Sequence, residues 1–291
     1  MVNDIRYGAS AARIQGRVEV NHKYLGQKNG PLLLFGGPLS NTHALSAVSQ
    51  QAMDLGLGRK DMICTGDVVG YCGSPYAAVS LMMRLGSSVI AGNVERQLAN
   101  GSTDCGCGFE AGSTCDALSK DWYAHAQTAI SPDQRRWMDD LPDVMTFEHQ
   151  GARYGVIHGG ATDIARFVWS VSDDAEFEEE WSALEAIVGP VDHVIAGHSG
   201  IPFVRKTAKG NWINAGVIGM PPHDGAQQTR FAILDGGEVV FHRLSYDVEG
   251  AVKAMESVGL TQGYNRSLLT GYWPSDGVLP LDLRAPSLAS G

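Results

Sequence analysis

Long apolar runs are missing from this chain. Its continuous apolar stretches, such as 31–35 and 89–91, fall far short of the ~20 residues that a membrane helix requires, so no bilayer-spanning role is expected. Clusters of Lys and Arg are missing as well. The 22 basic against 32 acidic side chains give a formal charge of −10, which argues against a nucleic-acid backbone as partner, because no basic run displaces its counterions. The first thirty residues lack the basic start, apolar middle and small-residue cleavage site of an export signal, and a cytoplasmic protein is expected. Five cysteines among 291 residues do not make a disulfide scaffold, and a chain of this length buries a core without one. There is no internal repeat and no low-complexity linker.

Several short apolar runs end alike, in glycine and a polar residue, at 31–37, 61–67, 88–93, 154–159 and 193–198. Continuous runs of this length suit strands buried on both faces. Helical patterns lie between them. Residues 44–57 put Leu45, Val48, Ala52, Met53 and Leu55 on roughly one face, and 173–188 is an acidic helix with Phe177, Trp181, Leu184 and Ile187 as its buried stripe. Ser74 before Pro75 and Ser131 before Pro132 are helix start signals. The alternation predicts an α/β fold. From about Ile201 the pattern turns antiparallel, with hairpins expected over 203–214 and 231–242 and a second sheet implied. The expected organisation is an N-terminal extension over 1–30, one domain over 31–245, and a C-terminal helix and tail over 246–291 packing on it.

In an α/β sheet, ligands bind beyond the carboxyl ends of the strands. Asp67, Asn93, His158 and His198 each end an apolar run beside a glycine, so residues distant in sequence can converge at one edge. A carboxylate, an amide oxygen and two imidazoles form a donor set suited to a divalent ion such as Mn, Fe or Zn. Each residue alone is ordinary, since strand-end histidines and Gly-Asp turns are more often structural. The same ending repeated four times carries the inference.

The segments 66–71 (Gly66, Asp67, Val68, Val69, Gly70, Tyr71), Gly92 with Asn93, His158 with Gly159, Gly197 with His198, and 214–219 stand in an order that resembles the calcineurin-like metallophosphoesterases, nearest to their small bacterial phosphodiesterase branch. The resemblance covers roughly 31–243 and implies a four-layer α-β-β-α sandwich of two mixed sheets flanked by helices. It also implies a two-metal phosphoester site at the strand ends and a small phosphorylated substrate. The departures are informative. Gly37 and Leu39 stand where the first motif of the family has Asp and His, and Gly200 stands where its last motif has a second His. These are the ligands of one ion position, whereas Asp67, Asn93, His158 and His198 match the complete set for the other, so a mononuclear site is expected. Of these, Asp67, Asn93 and His158 are also the candidate catalytic residues.

The general acid of the family is absent too, because Val94 and Glu95 follow Asn93 where His and Asp are usual. Proton donation of that kind is worth about 10²- to 10⁴-fold. Glu95, His43 and His223 are candidate substitutes, each also readable as a surface or supporting group. Asn41 and Asn214 occupy positions that line the phosphate side in similar proteins, although turns alone explain them.

Cys72, Cys105, Cys107 and Cys115 fall near the same edge. Their spacing is compatible with a second zinc site or an iron-sulfur cluster, with free or redox-active thiols, and with a disulfide from Cys105 or Cys107 to Cys115. Cys64 reads as a buried small hydrophobe. The tail aromatics Tyr264, Tyr272 and Trp273 are expected to pack on the sandwich or on a second copy in a homo-oligomer rather than to cover the site. Two functions follow: a divergent metal-dependent phosphoester hydrolase, or a non-catalytic protein on the same fold that binds a metal or phosphometabolite or senses redox state.

Overall fold

The computed structural model describes residues 20–110 and 112–285. In chain order its strands are β1 (His22–Lys28), β2 (Leu32–Phe35), β3 (Met62–Cys64), β4 (Ser88–Val89), β5 (Val144–His149), β6 (Ala152–Val156), β7 (His193–Ala196), β8 (Phe203–Lys206), β9 (Asn211–Asn214), β10 (Thr229–Asp235) and β11 (Glu238–Leu244). The helices are α1 (Thr42–Asp54), α2 (Pro75–Leu85), α3 (Asn93–Asn100), α4 (Thr114–Ala129), α5 (Pro132–Asp140), α6 (Asp174–Val188), α7 (Val248–Ser257) and α8 (Tyr264–Thr270). Among the described residues no helix is long and apolar enough to cross a membrane.

The strands form two mixed sheets, ordered β1-β5-β6-β7-β9-β8 and β11-β10-β2-β3-β4. Period-2 alternation in β2 shows how they stack. Leu32 and Leu34 point into the layer between the sheets, where they join Ile63, Phe147, Ile195 and Ile213. Leu33 and Phe35 point the other way, into a core shared with Leu45, Val79, Trp122 and Met255 from the helices. On the far side, Val144, Val194 and Trp212 pack against Phe177, Trp181 and Leu184 of α6. The result is the expected four-layer α-β-β-α sandwich.

Two expectations are corrected, and one helix was not anticipated. The segment assigned to an N-terminal extension contains β1, which pairs in parallel with β5. Both hairpins form, but they divide between the sheets: β9 adds to β7, and β10 adds to β2. A hairpin pattern reports local pairing and not which edge the pair joins. Helix α4 has no clear apolar stripe in the sequence, because its buried face mixes Cys115 and Ser119 with Trp122, Tyr123 and Ala126.

One buried ion pair ties the candidate site to this framework. Arg96 of α3 bonds Asp143 Oδ1 at 2.9 Å through Nε, and it reaches Met138 O, Asp139 O and Leu141 O through its remaining nitrogens. These carbonyls include ones at the end of α5 that have no intrahelical partner. Asp143 also accepts the Asn21 N–H at 2.8 Å. Removing one member of a buried pair strands the other, so Arg96→Leu is expected to cost about 3–5 kcal/mol, measured as a loss in urea-unfolding free energy.

Candidate metal centre

The four candidate ligands come from both sheets. Asp67 follows β3 and Asn93 opens α3 after β4, whereas His158 and His198 follow β6 and β7. Asp67 has φ 51°, a left-handed conformation that a non-glycine residue keeps only where its surroundings enforce it. Its N–H donates to Glu95 Oε2 at 2.8 Å, and its carbonyl accepts the Leu39 N–H at 3.1 Å. Gly92 packs so closely that any Cβ there would collide with Asp67 Oδ1.

The donor atoms meet at one point. His158 Nε2 lies 3.1 Å from Asp67 Oδ2, 3.1 Å from Asn93 Oδ1 and 3.0 Å from His198 Nδ1, and the last is 3.8 Å from Asp67 Oδ2. Ligands ~2.1 Å from a tetrahedral zinc lie ~3.4 Å apart, within the 3.0–3.8 Å range of these separations. Asp67, Asn93 and His158 are buried, at 8%, 0% and 2% exposure, and His198 is partly exposed as a residue although its side chain is only 4% exposed.

Neighbouring groups fix the polarity of these atoms. His158 Nδ1 donates to Thr65 O at 2.6 Å, which leaves a bare lone pair on Nε2 of the neutral ring. Asn93 Nδ2 donates to Cys105 O at 3.0 Å and so turns Oδ1 inward. Asp67 Oδ1 and His198 Nε2 are buried without a partner. Asp67 Oδ2, Asn93 Oδ1 and His158 Nε2 converge on one space, an arrangement that suits a cation. Asp67, His158 and His198 form the group of metal-compatible side chains found among the described residues.

Electrostatics agree. Burial disfavours the Asp67 carboxylate, but the two imidazoles more than offset it and hold the group below the usual carboxylate range. Burial likewise opposes charge on His158, which Asp67 reverses, raising that imidazole above its ordinary value. Burial keeps His198 below its ordinary value. The residues present fit a divalent ion.

Other candidates are placed elsewhere. Glu95 is fully buried and does not face the donors; its carboxylate accepts N–H bonds from Asp67, Val69 and Gly92 at 2.8, 3.1 and 2.9 Å. Burial and the adjacent Asp67 charge push it up to about 7, while the three amide donors favour its carboxylate form. Glu95 is thus a positioning residue and not a proton donor. The signal for this was present in the sequence, since Glu at the third position of a helix commonly closes back on the helix start. His43 sits 3.4 Å from Asp247 between α1 and α7. Asn41 caps α1 by accepting from Ala44 N and donates to Gly219 O. Asn214 donates to Ser199 Oγ and accepts from Gly216 N.

The four-thiol site does not form. Cys105 and Cys107 are joined in a disulfide, which also departs from a pairing with Cys115. The Cys72 thiol faces Gly219 O at 3.7 Å, and burial pushes it up to about 12. Cys115 is a free thiol. Cys64 is buried within β3, as expected.

A pocket adjoins Asp67 and His198, and its walls include Leu39, Phe109, Phe167, Tyr264 and Trp273. The expectation that the tail packs away from the site is therefore corrected for Tyr264 and Trp273. His223 anchors this tail: Nδ1 accepts the Trp273 N–H at 2.9 Å. Phe109 and Phe167 were missed, because isolated aromatics in a loop carry no periodic signal.

The model of the calcineurin-like phosphoesterase superfamily domain matches residues 37–238, and the chain belongs to that superfamily. A metallophosphoesterase from Sphaerobacter thermophilus shares the fold with a TM-score of 0.63 at 19% identity, over 84% of this chain and 100% of that one. A hypothetical protein from Pyrococcus horikoshii does so with a TM-score of 0.67 at 14% identity, over 85% and 99%. An uncharacterized protein of Methanocaldococcus jannaschii is 23% identical over 250 residues, 80% of this chain and 94% of that protein.

Two outcomes are expected. Glu95→Gln sets an amide against backbone donors, costing about 1–3 kcal/mol in urea unfolding and weakening divalent-ion binding about 10- to 100-fold by calorimetry. Burial holds His223 below its ordinary value of 6.5. Its stabilising contribution is complete above that pH and declines as pH falls through 6.5 toward its folded value. The urea midpoint of the wild type should accordingly fall relative to His223→Gln on acidification from pH 7.5 to about 5.5.

Proposed function

We propose that the chain is a divergent metal-dependent phosphoester hydrolase, a phosphatase or phosphodiesterase, working with a single divalent ion on a small phosphorylated substrate. The observation that carries this reading is the convergence of Asp67 Oδ2, Asn93 Oδ1 and His198 Nδ1 within 3.1 Å of His158 Nε2, with hydrogen bonds that turn lone pairs inward. Asp67, Asn93, His158 and His198 would hold the ion. When bound, such an ion supplies Lewis-acid charge to a phosphoryl oxygen and lowers the pKa of water.

The chain's own residues do the rest. Thr65 and Cys105 orient two donors through their carbonyls, and Glu95 holds the Asp67 turn. The Phe167 ring lies 4.5 Å from that of His198 and limits water on that flank. Leu39 and Gly200 border the pocket where the superfamily pattern calls for ligands of another ion, which supports a single-ion site.

A second reading, a non-catalytic metal- or phosphometabolite-binding protein, is favoured by one observation. Apart from Asp67 and His198, the acids lining the pocket are Tyr71, Tyr264 and Cys115, and burial raises all three above their ordinary values. None is tuned to protonate a leaving oxygen near neutral pH. A hydrolase built this way favours esters with good leaving groups.

Protein loaded in turn with Mn²⁺, Fe²⁺ or Zn²⁺ is expected to bind one ion per chain by elemental analysis. It should hydrolyse aryl phosphodiesters or phosphomonoesters at a rate that Asp67→Ala lowers at least about 100-fold. Turnover equal to that of Asp67→Ala with every metal selects the non-catalytic reading, and two ions per chain contradict the single-ion site.

A further inference from the structure

The pocket beside Asp67 and His198 is a small, partly open cleft with a cavity volume of about 50 Å³. Its walls are sharply divided in character. The metal-compatible donors lie at one end, and most of the remaining lining is apolar or aromatic. Tyr71 and Tyr264 stack at 4.3 Å between ring centroids, and Phe167 stacks on Trp169 at 5.4 Å. Trp273 is fixed from two sides: its Nε1–H donates to Pro221 O at 2.8 Å and its N–H to His223 Nδ1 at 2.9 Å. The ring rests on Gly200, where a Cβ would stand 3.2 Å from it and where φ is 74°. Glycine at this position is what lets the tail reach the site.

Charge narrows the ligand further. Among the described residues no Lys or Arg lines the pocket, and Asp67 is the carboxylate there. One divalent ion against Asp67 leaves a formal charge of +1, which balances a phosphodiester monoanion. A phosphomonoester dianion, or a chain of phosphates, finds no further cation in these walls.

We propose that this pocket is a subsite for an aromatic or heteroaromatic arm of a singly charged phosphodiester, with the phosphoryl group at the Asp67, His158 and His198 donors. The proposal rests on the single-ion reading and adds the substrate class. Burying one ring against such walls is worth about 10- to 100-fold in affinity.

Titration calorimetry on the Zn²⁺-loaded full chain tests it with three probes: diphenyl phosphate, a monoanion with rings; dimethyl phosphate, a monoanion without; and phenyl phosphate, a dianion with one ring. Diphenyl phosphate should bind about 10-fold or more tightly than either of the others. Trp273→Ala should bring the diphenyl and dimethyl affinities together, and Trp273→Phe should keep them apart. Melting temperatures show whether each variant folds. Val278→Asp, which sets a carboxylate in the pocket wall without removing a ring, serves as an independent variant expected to lower the diphenyl preference. Equal affinity for diphenyl and dimethyl phosphate, phenyl phosphate binding as tightly as diphenyl phosphate, no binding of any probe, or a preference untouched in the folded variants would overturn the subsite. Binding is read without turnover, so an absence of hydrolysis with the ring preference intact defeats only the hydrolase reading. Hydrolysis with equal affinities defeats only the subsite.

Discussion

The seam between the two sheets is the constraint on which the site depends. Leu32, Leu34, Ile63, Phe147, Ile195 and Ile213 interdigitate there, and close packing of this kind has few alternative arrangements. Asp67 and Asn93 hang from the five-stranded sheet and His158 and His198 from the six-stranded one. Donor spacings near 3 Å thus exist only because the hydrophobic layer sets the distance and register between the sheets. The local bonds refine that placement: the Glu95 carboxylate holds the strained Asp67 turn, and backbone carbonyls orient Asn93 and His158.

Next to the candidate donors, the packing is largely apolar. Leu39 is buried in the pocket wall and the Trp273 ring lies on Gly200. A half-occupied set of buried donors would carry desolvation costs with no cation to offset them. Apolar side chains avoid that cost and change what the neighbouring space can bind. The C-terminal tail thereby becomes part of the site, held by His223 and Pro221, although it lies outside the residues that match the superfamily model.

Much of the fold was legible in the sequence because burial on both faces leaves continuous apolar runs. The runs ending at Asp67, Asn93, His158 and His198 correspond to strands or strand ends in the structure. Helices α1, α2, α5, α6 and α7 lie close to their expected positions for the same reason, since a stripe or a capping residue is a local signal. Strand β1 was not legible, because its side chains are exposed or half-buried and alternate without an apolar run. Nor was the division of the two hairpins between sheets, which is decided by the edges that the rest of the fold leaves open.

For the site, the same boundary holds. The four candidate donors were legible in local endings of the chain, because strand termini and glycines are short-range features. Glu95 was left between a proton carrier and a supporting group, because its proximity to Asn93 in sequence says nothing about which way its carboxylate turns; three backbone amides decide that. The cysteines looked like one cluster by spacing, yet folding sends Cys72 to Gly219, pairs Cys105 with Cys107 and leaves Cys115 at the pocket. By itself the sequence determined the α/β alternation and the strand endings, which are short patterns of polarity and glycine, and its ordered motifs marked the superfamily and with it the layered fold. Tertiary structure alone decided which side chains face the donors and that a distant tryptophan closes the pocket, since contacts between remote segments depend on packing that no local pattern encodes.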